Sequence, residues 1–215
     1  MFLGHFGVAF AAKRLAPRAS LAVLFVASQF IDLLWPLLVL AGVERLRIVP
    51  GITTVNPLDF VHYPWSHSLL MALVWGVLLG GAYWWWRRRG HEAVVVGLLV
   101  PSHWLLDLLV HRPDLPLAPG LETVVGFGGW QSLGLSLALE LGLFVAGLAI
   151  YLWTMRDRLR PVWLGVLVAL LLAIYAGSLW GPAPPNPETV AASALGMWLF
   201  VGLAWLVERR REAST

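Results

Sequence analysis

The stretch Ala93 to His111, AVVVGLLVPSHWLLDLLVH, decides the fold class, because it is apolar and long enough to cross a bilayer. It nevertheless contains two ionisable residues, His103 and Asp107, four positions apart. A charged side chain at the centre of a bilayer costs about 3 kcal/mol, so such residues usually mark a functional site. We therefore expect a polar site inside a membrane protein.

The composition of the 215-residue chain is that of an integral membrane protein, with 59% hydrophobic and 13% charged residues. Its mean hydropathy is +0.77 and its isoelectric point is near 9.8. The arginines occur in short runs between apolar stretches, as the positive-inside rule predicts, so we do not expect a nucleic-acid partner. The chain has no cysteine, which leaves nitrogen and oxygen atoms as the ligands for any metal.

Six apolar stretches predict an all-α, polytopic bundle of about six transmembrane helices. The predicted spans are 19–43, 66–86, 93–111, 130–154, 162–181 and 189–208. We expect one integral membrane domain over residues 1–215, in which 1–154 carries the site and 155–215 supplies two scaffold helices. Residues 1–12 are apolar but too short to span, which predicts an interfacial or re-entrant helix that carries His5.

The basic residues predict the orientation of the bundle. The linkers 87–89 and 155–160, the tail 209–211 and the stretch with Lys13, Arg14 and Arg18 all fall on one side. This places both termini in the cytoplasm and the loops 44–65, 112–129 and 182–188 outside. The proline and glycine residues of the outer loops predict turns.

Polar residues of several predicted spans lie at similar depths. At a rise of about 1.5 Å per residue, Asp32 and Asp107 lie roughly 20 Å, and His103 roughly 15 Å, from the cytoplasmic ends of their spans. Glu140 lies roughly 15 Å from the outer end of its span by the same measure. His103, Asp107 and His111 follow one another at intervals of four and share one helix face. These residues are expected to face a common interior.

Three explanations fit this interior. A histidine and an aspartate at i and i+4 can bind one metal ion, with Asp32, His62 and His67 within reach, and such ligands suit zinc, manganese, iron or nickel. A hydrogen-bonded polar cluster that fixes helix packing is the second explanation, and conduction of protons or ions is the third. Asp59 and His111 each fit either a local hydrogen bond or ion pair or a role in the site.

Four short motifs then carry a resemblance to a known family. They are Gly4-His5, Ile31-Asp32 followed by Pro36, His62-Tyr-Pro-Trp-Ser-His67-Ser68, and Ser102-His103-Trp-Leu-Leu-Asp107. In order and spacing they resemble the motifs of a bacterial family of LexA-regulated, inner-membrane metal-dependent hydrolases. The resemblance covers about the first half of the chain. This chain departs from the family pattern at Phe30 and Trp35, where the family has an aspartate and a histidine.

The resemblance implies metal or catalytic roles for six residues, His5, Asp32, His62, His67, His103 and Asp107. We take His5, Asp32, His67, His103 and Asp107 as metal ligands and His62 as catalytic, and the depth argument adds Glu140 as a second catalytic candidate. The expected function is a membrane-embedded metal-dependent hydrolase of the bacterial inner membrane. Its partners would be the lipid bilayer and a lipid or phosphoester substrate, and its cofactor a divalent transition metal, with zinc ahead of manganese and iron. The alternative is a metal-ion or proton transporter that uses the same His and Asp side chains.

Overall fold

The computed structural model describes residues 1–156 and 160–208. The predicted basic tail at 209–211 and part of the predicted basic linker at 155–160 lie outside these residues. The helices are α1 (Leu3–Leu15), α2 (Leu21–Ser28), α3 (Phe30–Leu40), α4 (Pro64–His67), α5 (Leu69–Arg87), α6 (Gly90–Val110), α7 (Leu133–Met155), α8 (Pro161–Trp180), α9 (Pro187–Ala194) and α10 (Met197–Glu208).

The expected membrane-spanning bundle is confirmed. Five helical segments are long and apolar enough to cross a membrane, namely α5, α6, α7, α8 and the α9–α10 segment Pro187–Glu208. The helices α2 and α3 are long and apolar enough only as a pair, which is bent by 55° at its junction, so the structure has five spans, or six when this pair is counted as one. The protein is therefore a multi-pass, all-α membrane protein.

The N-terminal helix α1 lies inside the bundle. Its thirteen residues correspond to about 20 Å, too short to span a bilayer, and buried residues occur on all of its faces. Gly7 of α1 and Gly147 of α7 meet so closely that a Cβ atom on Gly147 would overlap the Gly7 carbonyl oxygen. Of the two positions expected for this helix, the structure supports the one in which protein surrounds the backbone.

Aromatic side chains fill the core between α1, α2, α7 and α10. Phe6 packs edge-on against Phe25 and Phe200, and Phe10 does so against Phe25 and Phe144. All five rings are almost completely buried. Because α1 is the centre of this packing, it holds His5 at a fixed position within the bundle.

One of the expected cytoplasmic basic residues, Lys13, is buried. Its Nζ atom lies 2.9 Å from Glu208 Oε2 at the end of α10, and it donates to the Ala19 carbonyl at 2.6 Å. Glu208 also accepts hydrogen bonds from the Leu21 amide and the Tyr151 hydroxyl. This ion pair joins α1, α2, α7 and α10 at the end of the bundle far from the predicted site.

The loop after α3 contains a hairpin where the sequence predicted only turns. Strand β1 (Arg45–Ile48) pairs antiparallel with β2 (Leu58–His62), with Ile48 opposite Leu58 and Leu46 opposite Phe60. Two further short strands, β3 (Leu115–Pro116) and β4 (Val124–Val125), also pair antiparallel, and a 3₁₀ helix (Gly129–Gln131) precedes α7. Phe60 and Val61 of β2 favour strand geometry, but strand pairs this short depend on the helices beneath them.

Candidate metal centre

Four helices bring together the five residues predicted as metal ligands. His5 comes from α1, Asp32 from α3, His67 from the end of α4, and His103 and Asp107 from α6. They form two triads in which the ligand atoms lie within 4.8 Å of one another, His5–His103–Asp107 and Asp32–His67–His103. The Asp32 side chain retains 23% exposure, whereas the other four are at most 4% exposed. His103 belongs to both triads and is therefore the centre of the cluster.

The ring of His103 presents its Nε2 atom to two carboxylates. Nδ1 lies 2.7 Å from the Ser28 carbonyl oxygen, which can only accept, so Nδ1 carries a proton. Nε2 lies 3.2 Å from Asp107 Oδ2 and 3.6 Å from Asp32 Oδ2. Within residues 1–156 and 160–208 it makes no well-oriented hydrogen bond. A neutral His103 would therefore direct a lone pair between two anionic oxygens, an arrangement that a cation would stabilise.

A second histidine, His67, also has a protonated Nδ1 atom and an Nε2 atom that faces a carboxylate, but a serine hydroxyl accepts its Nδ1 proton. The Ser66 hydroxyl donates its single proton to Glu44 Oε2 at 2.6 Å, so it must accept from His67 Nδ1 at 2.7 Å. The Nε2 atom of His67 then lies 3.2 Å from Asp32 Oδ1. Glu44 is held in turn by the amides of Trp65 and Ser66. A carboxylate that orients a ligand histidine in this way is typical of metal sites.

Asp107 connects the cluster to α1. Its Oδ1 atom lies 3.1 Å from His5 Nε2 and also contacts the amino group of Met1. The His5 ring stacks on the His103 ring with a centroid distance of 3.5 Å. The Nδ1 atom of His5 is buried and has no hydrogen-bond partner among the described residues. The triad His5–His103–Asp107 is therefore complete only when α1 is inside the bundle.

Local breaks in the helices position the side chains of the cluster. The span formed by α2 and α3 is interrupted at Gln29, so the carbonyl of Ser28 is at a helix end and can accept from His103. Asp32 lies in the first turn of α3. Pro36, one turn later, has no amide proton to donate to the Asp32 carbonyl oxygen. At α5, the Ser68 side chain caps the helix by accepting from Met71, which places His67 immediately before it.

Glu140, predicted as catalytic, lies beside the cluster and anchors α1. Its two carboxylate oxygens accept hydrogen bonds from the amides of Phe2 at 2.7 Å and Gly4 at 2.8 Å. A carboxylate at this position is favourable because the first amides of a helix lack partners within the helix. The Glu140 side chain therefore fixes the N-terminus of α1, and with it the position of His5.

The structure does not bring His62, the other predicted catalytic residue, into the cluster. His62 is exposed at the end of β2, opposite Arg45. Asp59 accepts hydrogen bonds from Arg47 and contacts Arg112, so of its two expected roles the structure shows the local ion pair. Both residues belong to the hairpin that covers the cluster.

His111 lies at the end of α6, in contact with the loop that follows. Its Nδ1 atom lies 3.0 Å from Asp114 Oδ1, and its ring is 4.3 Å from the ring of Trp130. Burial lowers the pKa of His111, and burial also raises the pKa of the neighbouring Tyr63 hydroxyl well above its usual value. Neutral forms of both side chains are therefore favoured at this end of the bundle.

A cavity of about 490 Å³ adjoins the cluster, a volume typical of small-molecule sites. Asp32, His67 and Asp107 line one part of it, and residues 50–51 and 53–57 of the hairpin loop line another. The third wall comes from α8, α9 and α10, which the sequence analysis assigned to the scaffold. These helices thus also shape the space in front of the cluster.

Sequence reasoning missed Glu44 and Ser66. Ser66 belongs to the motif around His67, so its position directly before a predicted ligand was an available signal. Glu44 is separated from Ser66 by 22 residues, and the sequence carries no signal that the two side chains meet.

Comparisons with known proteins identify no relative. No protein-family model matches the chain. No curated protein and no solved structure shows a significant match to it either.

Proposed function

We propose that the protein is a metal-dependent hydrolase whose active site lies within the membrane. One observation carries this proposal: the Nε2 atoms of His67 and His103 both face Asp32 while each ring donates its Nδ1 proton elsewhere. Two neutral imidazoles held in this way are ready to bind a cation beside a carboxylate. The adjoining cavity gives a substrate access to the same atoms.

The residues of the cluster fit one divalent ion better than two. One imidazole nitrogen binds one metal, and the Nδ1 atom of His103 is already used by Ser28. The two triads therefore share His103 Nε2, and one ion would draw its remaining ligands from His5, Asp32, His67 and Asp107. Nitrogen and oxygen ligands of this kind suit zinc first, and also manganese or iron. Such an ion would supply Lewis acidity and activate a water molecule for hydrolysis.

The chain's own groups have separate tasks in this scheme. Asp32 is the ligand nearest to the cavity, since its side chain is the most exposed of the five. Glu140 also lines the cavity, and its carboxylate has lone pairs beyond the two that accept from Phe2 and Gly4. We assign Glu140 the role of proton acceptor. His62 takes no part in the proposed reaction because it is exposed outside the cavity.

The motif order supports membership of the LexA-regulated, inner-membrane metal-dependent hydrolases. Five of the six residues that this resemblance marks are in one cluster, which favours the common role that the resemblance implies. If the chain belongs to this family, its location is a bacterial inner membrane, which we also propose. The basic linkers support an orientation in which both termini are cytoplasmic and the hairpin is outside. The substrate would then be a lipid or phosphoester that reaches the site from the outer half of the membrane.

One observation favours transport of a metal ion or a proton as the second candidate. The first span is broken at Gln29, beside the cluster, and the last span is interrupted at residues 195–196. Interrupted helices at a central site are typical of secondary transporters. A transported ion would exchange readily, whereas a catalytic ion would remain bound through purification.

Elemental analysis of detergent-purified protein by plasma mass spectrometry tests the proposal. We expect about one equivalent of a transition metal in the wild type, lost in His103→Ala and Asp107→Ala. A wild type that stays metal-free after incubation with zinc and manganese would overturn the metal-centre proposal. A metal that washes out during purification and re-enters under a gradient would favour transport.

A further inference from the structure

We propose that the cavity binds a membrane amphiphile whose headgroup has no net negative charge, and that Tyr175 and Trp35 donate hydrogen bonds to its oxygen atoms. This inference rests on the proposed function, because it names the substrate class of the same site. It is carried by two buried donors, by the charges around the cavity and by the helices that form its third wall.

The first donor is the hydroxyl of Tyr175 on α8. Tyr175 lines the cavity, is 5% exposed, and its hydroxyl has no hydrogen-bond partner in the described part of the chain. Its ring stacks on Phe2 with planes 10° apart, which restricts the directions that the hydroxyl can take. A buried hydroxyl without a partner is unfavourable. A ligand oxygen in the cavity would supply the acceptor.

The second donor is the indole N–H of Trp35 on α3. Trp35 lines the same cavity, is 6% exposed, and its Nε1 atom finds no acceptor within 1–156 or 160–208. The ring is packed between Phe60, at a centroid distance of 5.8 Å, and His67, at 6.4 Å. This contact places an N–H donor next to one of the proposed metal ligands. The cavity therefore offers donors from two different helices, α3 and α8.

The charges of the cavity restrict the headgroup. Three carboxylates line it, those of Asp32, Asp107 and Glu140, and none of the described lining residues is lysine or arginine. The Met1 amino group also lines the cavity, but it is already paired with Asp107. A divalent ion at the cluster would offset two of these three negative charges, and the Met1 amino group offsets the third, so the cavity would have no excess positive charge to attract an anion. Sites for anionic headgroups usually contain arginine or lysine. A zwitterionic or uncharged headgroup with acceptor oxygens fits better.

The third wall provides an apolar surface for a hydrocarbon tail. It includes Ile174 and Leu179 of α8, Val190 and Ala194 of α9, and Met197 of α10. Of these helices, α8 packs mainly on α10 and α1, whereas α9 packs on α3 and on strand β1 of the hairpin. An amphiphile could therefore keep its tail along α8 while its headgroup reaches the donors and the cluster.

Equilibrium binding of radiolabelled lipids tests the inference. The probes are phosphatidylethanolamine, diacylglycerol and phosphatidylglycerol, added to detergent-purified, EDTA-treated full-length protein. We expect at least one of the two electroneutral lipids to bind about tenfold more tightly than phosphatidylglycerol. Tyr175→Phe and Trp35→Phe should each weaken that binding about tenfold, the usual effect of one lost hydrogen bond.

Tyr83→Phe is the matched control. The Tyr83 hydroxyl is also buried and without a partner among the described residues, but Tyr83 does not line this cavity. It should bind lipid as the wild type does. Absence of saturable binding, equal or tighter binding of phosphatidylglycerol, or a Tyr175→Phe variant that behaves like Tyr83→Phe would overturn the inference. Because the assay needs neither metal nor turnover, its failure is separable from a failure to find metal.

Discussion

The imidazole rings of His5 and His103 are stacked, with centroids 3.5 Å apart and planes 8° from parallel. The two rings come from different helices, α1 and α6, and both are buried. Two positive charges this close and this far from water would repel each other strongly. At most one ring is therefore protonated at a time, which leaves at least one neutral imidazole, the form that binds metals.

The stack leads to a test that separates ligand binding from packing at His5. His5→Phe keeps a flat ring on His103 but removes the nitrogen that lies 3.1 Å from Asp107. We expect the metal content to fall by at least half while the melting temperature changes by less than about 4 °C. A variant that keeps its full metal content but melts much earlier would show that His5 serves packing only.

The motif that contains both His62 and His67 offers an internal comparison. His67→Ala should reduce the bound metal strongly, since His67 is buried beside Asp32. His62→Ala should leave the metal content unchanged, since His62 is exposed outside the cluster. Elemental analysis of both variants in one preparation series is the measurement. Equal losses in the two variants would contradict the site described above.

Glu44 should control metal affinity without binding the metal. Glu44→Gln weakens the contact that forces the Ser66 hydroxyl to accept from His67. We expect metal affinity to fall about 10- to 100-fold, as for other outer-sphere carboxylates. Competition with a chelator of known affinity measures the metal affinity of each variant. Glu122→Gln, at an exposed position, is the control. An affinity equal to that of the control would exclude the orienting role.

The predictable part of the structure follows from local properties. Apolar length alone predicts a bundle of about six spans, because a helix must satisfy its own backbone inside a bilayer, and five or six are present. Equal depth and the i, i+4 spacing of His103 and Asp107 predict that the polar side chains share one interior. Apolar length, depth and residue spacing do not depend on how the helices pack. The bundle and the shared polar interior that they predict agree with the structure.

The remaining part depends on packing over long distances. The Glu44–Ser66 contact joins residues far apart in the sequence, and the hairpin β1–β2 forms only above the bundle. The chain has thirteen tryptophans, and nothing in the sequence distinguishes the N–H of Trp35 from the others. Only the structure shows that this donor lines a cavity and has no partner among the described residues.

The close contact of α1 with α7 should be sensitive to a single methyl group. In Gly147→Ala the new Cβ atom would overlap the backbone of Gly7, and the two helices would have to separate. We expect a loss of at least about 2 kcal/mol in the free energy of unfolding. Gly142→Ala on the same helix meets open space and serves as the control in thermal unfolding. Equal melting temperatures for the two variants would mean that α1 is not packed here.

The buried pair of Lys13 and Glu208 should also stabilise the bundle. Glu208→Gln leaves Lys13 without its charged partner, and breaking a buried pair typically costs about 3 to 5 kcal/mol. Adding Lys13→Met should restore part of the loss, because it removes the unpaired charge. Chemical unfolding in mixed micelles compares the single and double variants. A double variant less stable than Glu208→Gln would contradict this account.

The acceptor that orients His103 belongs to the main chain of Ser28, at the break between α2 and α3. A carbonyl oxygen remains in place whatever side chain residue 28 carries. The tautomer of the central histidine should thus tolerate sequence drift at this position, provided that the helix still ends there. Mutational scans of α2 should accordingly find residue 28 permissive for small side chains, and find intolerance where a substitution would let the helix run on through residue 29.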